Sequence, residues 1–251
     1  MSDATATSVA RPVVLAPLVA LYRLLLRTIA TRARLAGFGV LGILGILVGW
    51  QVAANGTGEP VRAAARLVDV FGLTFLIPVA ALVFGTSSLG DPTDDGTLVY
   101  LWLRPVPRSS IVGSAYLAAL TFVFPLAVAP VVIASALVSG DRSAIAGAAL
   151  GAGLAGAAYT AVFVLLGLVT SRSLVWGVGY LLIFESFIAR GGRSLGAVSI
   201  HAQSVSVLAG LAGRKLSLAY FGAVTGVIVC VVVTVAALGA TVWRLRRADI
   251  A

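Results

Sequence analysis

The chain has 251 residues, 60% of them apolar and 11% charged, with a mean hydropathy of +1.07 and a formal net charge of +9. That balance excludes an ordinary soluble domain and predicts an all-α, polytopic membrane protein forming one domain over residues 1–251. In a soluble protein the positive excess would point to nucleic acid; here arginines gather at the edges of apolar runs, where they meet membrane lipids, and no nucleic-acid partner is expected.

Residues 10–34 come first. Leu18, Leu21, Tyr22, Leu25 and Ile29 recur at helical spacing, with Arg23, Arg27 and Arg34 on another face. The pattern predicts an amphipathic helix in the membrane interface, apolar side towards lipid; the alternative is a plain extension of the first span. Arg23 and Arg27 also interrupt the run that a signal peptide would need.

Six spans are expected: Leu35–Ala54, Leu67–Phe84, Ile111–Val138, Ala144–Thr170, Leu174–Ala189 and Leu216–Trp243. Pro125 and Pro130 should kink the third. With both termini on one side, eleven Arg and Lys residues lie on that side and seven on the other, which predicts cytoplasmic termini. The pairs Gly45/Gly49, Gly147/Gly151 and Gly222/Gly226 match the small-residue spacing that lets helices approach closely, within a chain or across a dimer seam.

Between the second and third spans lies a cytoplasmic segment, residues 85–110. Asp91, Pro92, Thr93 and Asp94 read as a helix start, with an acidic cap and proline in the first turn. Thr97–Leu103, carrying Tyr100 and Trp102, reads as a short helix that Pro105 ends by restricting Arg104. Ser109 or Ser110 should cap the third span. The segment reads either as a docking knob or as a packed connector.

Two acids fall within spans: Asp69 near the outer start of the second, and Glu185 about 16 Å into the fifth. An acid in a span is a functional-site hypothesis, here an outward-facing pathway for a polar or cationic group. The alternatives place Asp69 in a favourable first helical turn and pair Glu185 with Arg190 or Arg193. The connection 190–215 is apolar enough to dip into the outer leaflet as short re-entrant helices, or to lie at the surface. His201, the one histidine, reads as an ordinary loop residue.

Two catalytic patterns are absent from the sequence: there is no phosphate-binding G-x-x-x-x-G-K-[ST] and no H-E-x-x-H. Gly151, Gly153 and Gly156 match G-x-G-x-x-G but lie inside an apolar span, the wrong context for a dinucleotide fingerprint. The single cysteine, Cys230, excludes an intramolecular disulfide. The chain is read as non-enzymatic and without a cofactor of its own. An integral membrane enzyme and a scaffold or sensor recruiting a cytoplasmic partner are the rival classes.

The run Asp94-Asp95-Gly96-Thr97-Leu98 followed by Pro105-Val106-Pro107-Arg108 resembles the corresponding loop of ABC-2 type exporter permeases, the six-span members without a fused ATPase. The family usually carries glutamate in the acidic stretch and a lysine shortly after the arginine, near Ser114 or Tyr116 here. The resemblance implies a dimer of permease subunits in the cell membrane, with separate cytoplasmic ABC ATPase subunits that bind ATP and magnesium. It implies that Asp91, Asp94, Asp95, Gly96, Thr97, Leu98, Trp102, Arg104, Pro105 and Arg108 form the ATPase-coupling segment. It also implies that the second and fifth spans border the pathway, placing Asp69 and Glu185 beside it. The cargo it implies is a hydrophobic or amphipathic substrate moved outward.

Overall fold

The computed structural model describes residues 15–94, 107–185, 196–213, 216 and 219–247. These are helical apart from short connections, with no strand among the described residues. In chain order the helices are α1 (Leu15–Ile29), α2 (Arg32–Ala54), α3 (Pro60–Leu67), α4 (Ile77–Asp94), α5 (Arg108–Val123), α6 (Ala129–Ser139), α7 (Arg142–Val169), α8 (Ser173–Gly179), α9 (Ile200–Ala212) and α10 (Ala223–Arg247). Three π-helical stretches interrupt them: Val68–Leu76 joins α3 to α4, Phe124–Val128 joins α5 to α6, and Tyr180–Glu185 follows α8.

Five helical units are long and apolar enough to cross a membrane: Arg32–Ala54, Pro60–Pro92, Arg108–Ser139, Arg142–Val169 and Ala223–Arg247. The fifth expected span differs. Its described helix, Ser173–Glu185, has 13 residues, about 20 Å at 1.5 Å each, against a hydrocarbon core of about 30 Å. Residues 186–195 lie outside the described residues. Large apolar side chains face outward on α2 (Val40, Ile43, Leu47, Trp50) and α10 (Val224, Ile228, Val232, Val235). Such faces suit hydrocarbon and not water, so this is a multi-pass membrane protein.

Two of the π-helical stretches have a cause legible in the chain. Ile77 N–H reaches back five residues to Gly72 O, and Ala129 N–H to Phe124 O. Each of these wide turns directly precedes a proline, Pro78 and Pro130, whose ring lacks an N–H and crowds the carbonyl four residues back. Slipping the register relieves that clash. The kink expected at Pro125 and Pro130 thus takes the form of a widened turn.

The hub is α7. Its buried face is built from Ala144, Gly147, Ala148, Gly151, Ala152, Ala155 and Gly156, and α4, α9 and α10 all pack on it. A Cβ at Gly147 would lie 3.0 Å from Leu208 O, and one at Gly151 would lie 3.0 Å from Ser204 O, both carbonyls of α9. Gly49 meets Ala134 of α6, Gly45 meets Phe71, and Gly226 meets Gln203 of α9. Five of the six paired glycines therefore serve contacts within the chain; Gly222 meets nothing within 4 Å.

Helix α1 bears out the amphipathic pattern, but its apolar side has a different neighbour. Leu21, Leu25 and Ile29 are buried against protein, chiefly α5 and also α4, while Arg23 and Arg27 stay exposed. Tyr22 and Thr121 join their hydroxyls at 2.7 Å across this contact. A break at Ala30–Thr31 separates α1 from α2, and Thr31 caps the latter through Arg34 N–H.

The acidic start of the 85–110 segment is also corrected. Residues 85–94 are helical, and Asp91, Pro92 and Asp94 continue α4 and do not open a new helix. Asp91 is held from another direction, by Arg34 Nη1 of α2 at 3.2 Å. Pro107, not Ser109 or Ser110, occupies the cap position of α5. The short helix expected over Thr97–Leu103 lies outside the described residues, as do Asp95, Gly96, Trp102, Arg104 and Pro105.

Two measurements check this packing. Gly49→Ala places a methyl 2.9 Å from the Ala134 backbone, and is expected to lower stability by about 1–3 kcal/mol. Gly39→Ala, with nothing within 4 Å, is expected to be neutral or slightly stabilising; thermal unfolding in detergent compares the two. Asp141 caps α7, and its carboxyl is held below the usual range by the Ser143 hydroxyl and then by the Ala144 and Ser143 amides. A lowered folded value means the stabilisation is present above the unfolded aspartate value and is lost as pH falls through the folded one. The gap in unfolding temperature between wild type and Asp141→Ala should therefore close on acidification.

Candidate functional site

Helix α9 poses a local problem. Eleven of its 13 residues are buried, among them His201, Gln203, Ser204 and Ser206. Its first amide groups have no carbonyls behind them in the helix, and in a buried setting water cannot serve them. The sequence meets this need twice. Ser199 is the N-cap: its Oγ accepts from Ala202 N–H at 3.1 Å. Glu185, 14 residues earlier, brings a full carboxylate to the same turn.

Four hydrogen bonds to the Glu185 carboxylate stand out among the described residues. Tyr180 Oη donates to Oε1 at 2.9 Å, and Ile200 N–H donates to the same oxygen at 3.1 Å. The Ser199 hydroxyl donates to Oε2, joined by His201 N–H at 3.4 Å. A negative charge here also meets the positive end of the α9 dipole. Glu185 is 4% exposed, so these donors stand in for its hydration. It sits in the π-helical stretch Tyr180–Glu185, and such stretches recur at functional sites.

Asp69 reaches the same helix end from the π-helical stretch Val68–Leu76. Its Oδ1 lies 2.8 Å from His201 Nε2. Thr74 Oγ1 also approaches Nε2, at 3.4 Å, and gives its own hydrogen to Asp69 O at 2.9 Å. Carboxylate and spent hydroxyl can both only accept, so Nε2 carries the ring hydrogen and Asp69 orients the imidazole. Among the described residues, no lysine or arginine pairs with Asp69 or Glu185.

A cavity of about 10 Å³ lies at the centre, lined by Leu73, Thr74, Pro78, Tyr159, Leu181, Glu185 and His201. That is room for about one water molecule. Tyr159 of α7 is fully buried against Phe163, and its hydroxyl lies beside the Glu185 carboxylate. No group of three or more His, Cys, Asp and Glu side chains suited to a metal occurs among the described residues. The arrangement can hold protons, hydrogen bonds and a helix terminus; it has neither the volume for an organic ligand nor an exposed nucleophile.

The two acids singled out from the sequence thus converge on one helix end, from two different elements. Both are engaged in hydrogen bonds in this structure. The alternative partners Arg190 and Arg193 lie outside the described residues. His201 is not an ordinary loop residue: it is 3% exposed and helical. Ser199 before an apolar run was a readable cap signal. Tyr159, Tyr180 and Thr74 carried none, since nothing in their neighbourhoods marks them off from other apolar helix positions.

Of the residues that the resemblance assigns to coupling, Asp91 and Asp94 lie in α4 and Arg108 opens α5. A hollow of about 290 Å³ lies beside Asp91, lined also by Thr86, Ser87, Gly90, Arg172 and Ser173 among others.

His201→Ala removes the partner of a buried carboxylate and is expected to cost about 3–5 kcal/mol. The double variant Asp69→Ala/His201→Ala should lose clearly less than the sum of the two single variants, because no charge is then stranded. Thermal unfolding of the four proteins reads the coupling; additive losses would mean the contact carries no energy. Comparison of the chain with family models and with curated proteins finds no match.

Proposed function

We propose that this chain is the membrane-embedded permease subunit of an ABC-2 type exporter, worked by separate cytoplasmic ATPase subunits. The observation that carries the reading is the order of parts around one segment. A long helix runs through Asp91 to Asp94, the run Asp94-Asp95-Gly96-Thr97-Leu98 and Pro105-x-x-Arg108 follows in the sequence, and Arg108 opens the next long helix. The amphipathic α1 before the first span and the short apolar helices before α10 complete a layout consistent with such permeases. The sequence lacks a phosphate-binding loop, so in this reading ATP and magnesium bind in the partner.

In this reading the stretch Leu174–Ala189 supplies the fifth of six spans, and both termini face the cytoplasm of a cell whose plasma membrane holds a homodimer. The outward apolar faces of α2 and α10 are surfaces available to lipid and to the second copy. ATP-driven closure of the ATPases pushes on residues 91–108. The tilted, proline-widened helices carry that push to the far side, opening a path for a hydrophobic or amphipathic substrate. Asp69 and Glu185, on the second and fifth spans, border that path.

A second reading has one observation in its favour. The buried cluster is closed, with room for about one water, which suits a scaffold that recruits a partner without transport. Substrate movement in vesicles with the partner ATPase separates the two.

Alanine replacement across Asp94–Leu98 together with Arg108→Ala is expected to abolish co-purification of the ATPase or its coupled activity while helical content stays unchanged. Intact assembly and coupled hydrolysis in that variant would contradict the coupling role.

A further inference from the structure

The hollow beside Asp91 shares no lining residue with the cavity at Glu185 and is far larger, about 290 Å³ against about 10 Å³. It lies at a membrane edge. Asp91 is near the end of the apolar unit Pro60–Pro92, its partner Arg34 is near the start of Arg32–Ala54, and Ser171 and Arg172 connect α7 to α8. The two walls differ in chemistry. On the α4 wall, Thr86 is nearly buried and donates its hydroxyl hydrogen to Leu82 O at 2.7 Å, so it can only accept from anything else. Asp91 accepts from Arg34 through Oδ2 at 3.2 Å, and a carboxylate has lone pairs beyond that one. The wall from the α7–α8 connection donates instead. Arg172 is exposed and has no carboxylate partner among the described residues, and Ser171 and Ser173 add hydroxyls.

The rim of the hollow is apolar. Leu174 and Val175 line it and are exposed, and Val175, Val178 and Leu182 continue outward at i, i+3 and i+7. An outward apolar stripe below a polar, charged edge is the surface that a phospholipid presents in reverse.

We propose that this hollow binds the headgroup of a phospholipid that carries a primary ammonium on its phosphate, of the phosphoethanolamine type. The phosphate takes the Arg172 guanidinium and the serine hydroxyls; the ammonium donates to Asp91 and Thr86; an acyl chain follows Val175, Val178 and Leu182. A headgroup with only negative charge meets Asp91 in the lining, and one with only positive charge meets Arg172. A quaternary ammonium has no N–H for the two acceptors. A soluble zwitterion leaves the apolar stripe uncovered, so the occupant is a lipid. The site does not depend on the exporter reading, and its test needs no ATPase.

The full chain in detergent is titrated with phosphatidylethanolamine, phosphatidylcholine and phosphatidylglycerol of identical acyl chains, and native mass spectrometry reads each dissociation constant. The ethanolamine lipid should bind about tenfold more tightly than either of the others. Arg172→Ala should weaken it about tenfold to a hundredfold. Asp91→Asn should erase its preference over the glycerol lipid, and Arg62→Ala, an exposed arginine outside the hollow, should change nothing. Equal affinity for the three headgroups, tighter binding of the glycerol lipid, or an Arg172→Ala variant that binds like wild type overturns the site. Displacement by free phosphoethanolamine at the lipid's own concentration overturns a lipid as the occupant. Should Asp91→Asn fail to fold once Arg34 loses its partner, the headgroup preference of wild type and the exposed Arg172→Ala variant decide.

Discussion

A helix that begins inside an apolar protein has amide hydrogens with nowhere to go, and the rest of this structure is arranged around meeting that need. Helix α9 is too short to cross a membrane and is buried on nearly every side, so neither water nor its own carbonyls can serve its first turn. Glu185 and Ser199 meet the demand, and their chemistry explains why a charged residue is retained in an otherwise apolar helix. Buried charge without partners would be prohibitive; with four donors and a helix dipole it becomes a fastening.

The fastening works only because α9 can come close to its neighbours. Gly147 and Gly151 of α7 and Gly226 of α10 let backbone meet backbone at the α9 carbonyls. In lipid, where apolar burial does not drive helices together, such close packing is the main source of association. The same helix receives α4, so α4, which carries Asp91, and α9 with its polar cluster both pack on α7.

Much of the fold was legible because its determinants are local. Apolar runs of sufficient length predicted the long helices, and the spacing of Leu21, Leu25 and Ile29 predicted the stripe of α1. The small-residue pairs marked close contacts, though pattern alone was silent on the partner, which proved to be the same chain. The end of the second span was misjudged because Asp-Pro-Thr-Asp satisfies the local rules for starting a helix. Whether the preceding helix has already stopped is decided by burial of Gly85–Gly90 and by Arg34, 57 residues away. Asp69 and Glu185 stood out because charge in a span is rare. Their joining by His201 depended on a helix reversal that brings residues 132 apart into contact, which no spacing rule encodes.

The central claim, that Glu185 terminates a buried helix, is tested most directly at the amides it caps. Hydrogen exchange resolved to the 200–203 segment of the lipid-reconstituted protein should show protection comparable to the α7 core. Glu185→Gln should lose that protection there while α7 keeps its own. Free exchange at Ile200 and His201 in the wild-type protein, or protection untouched by the substitution, would contradict the account.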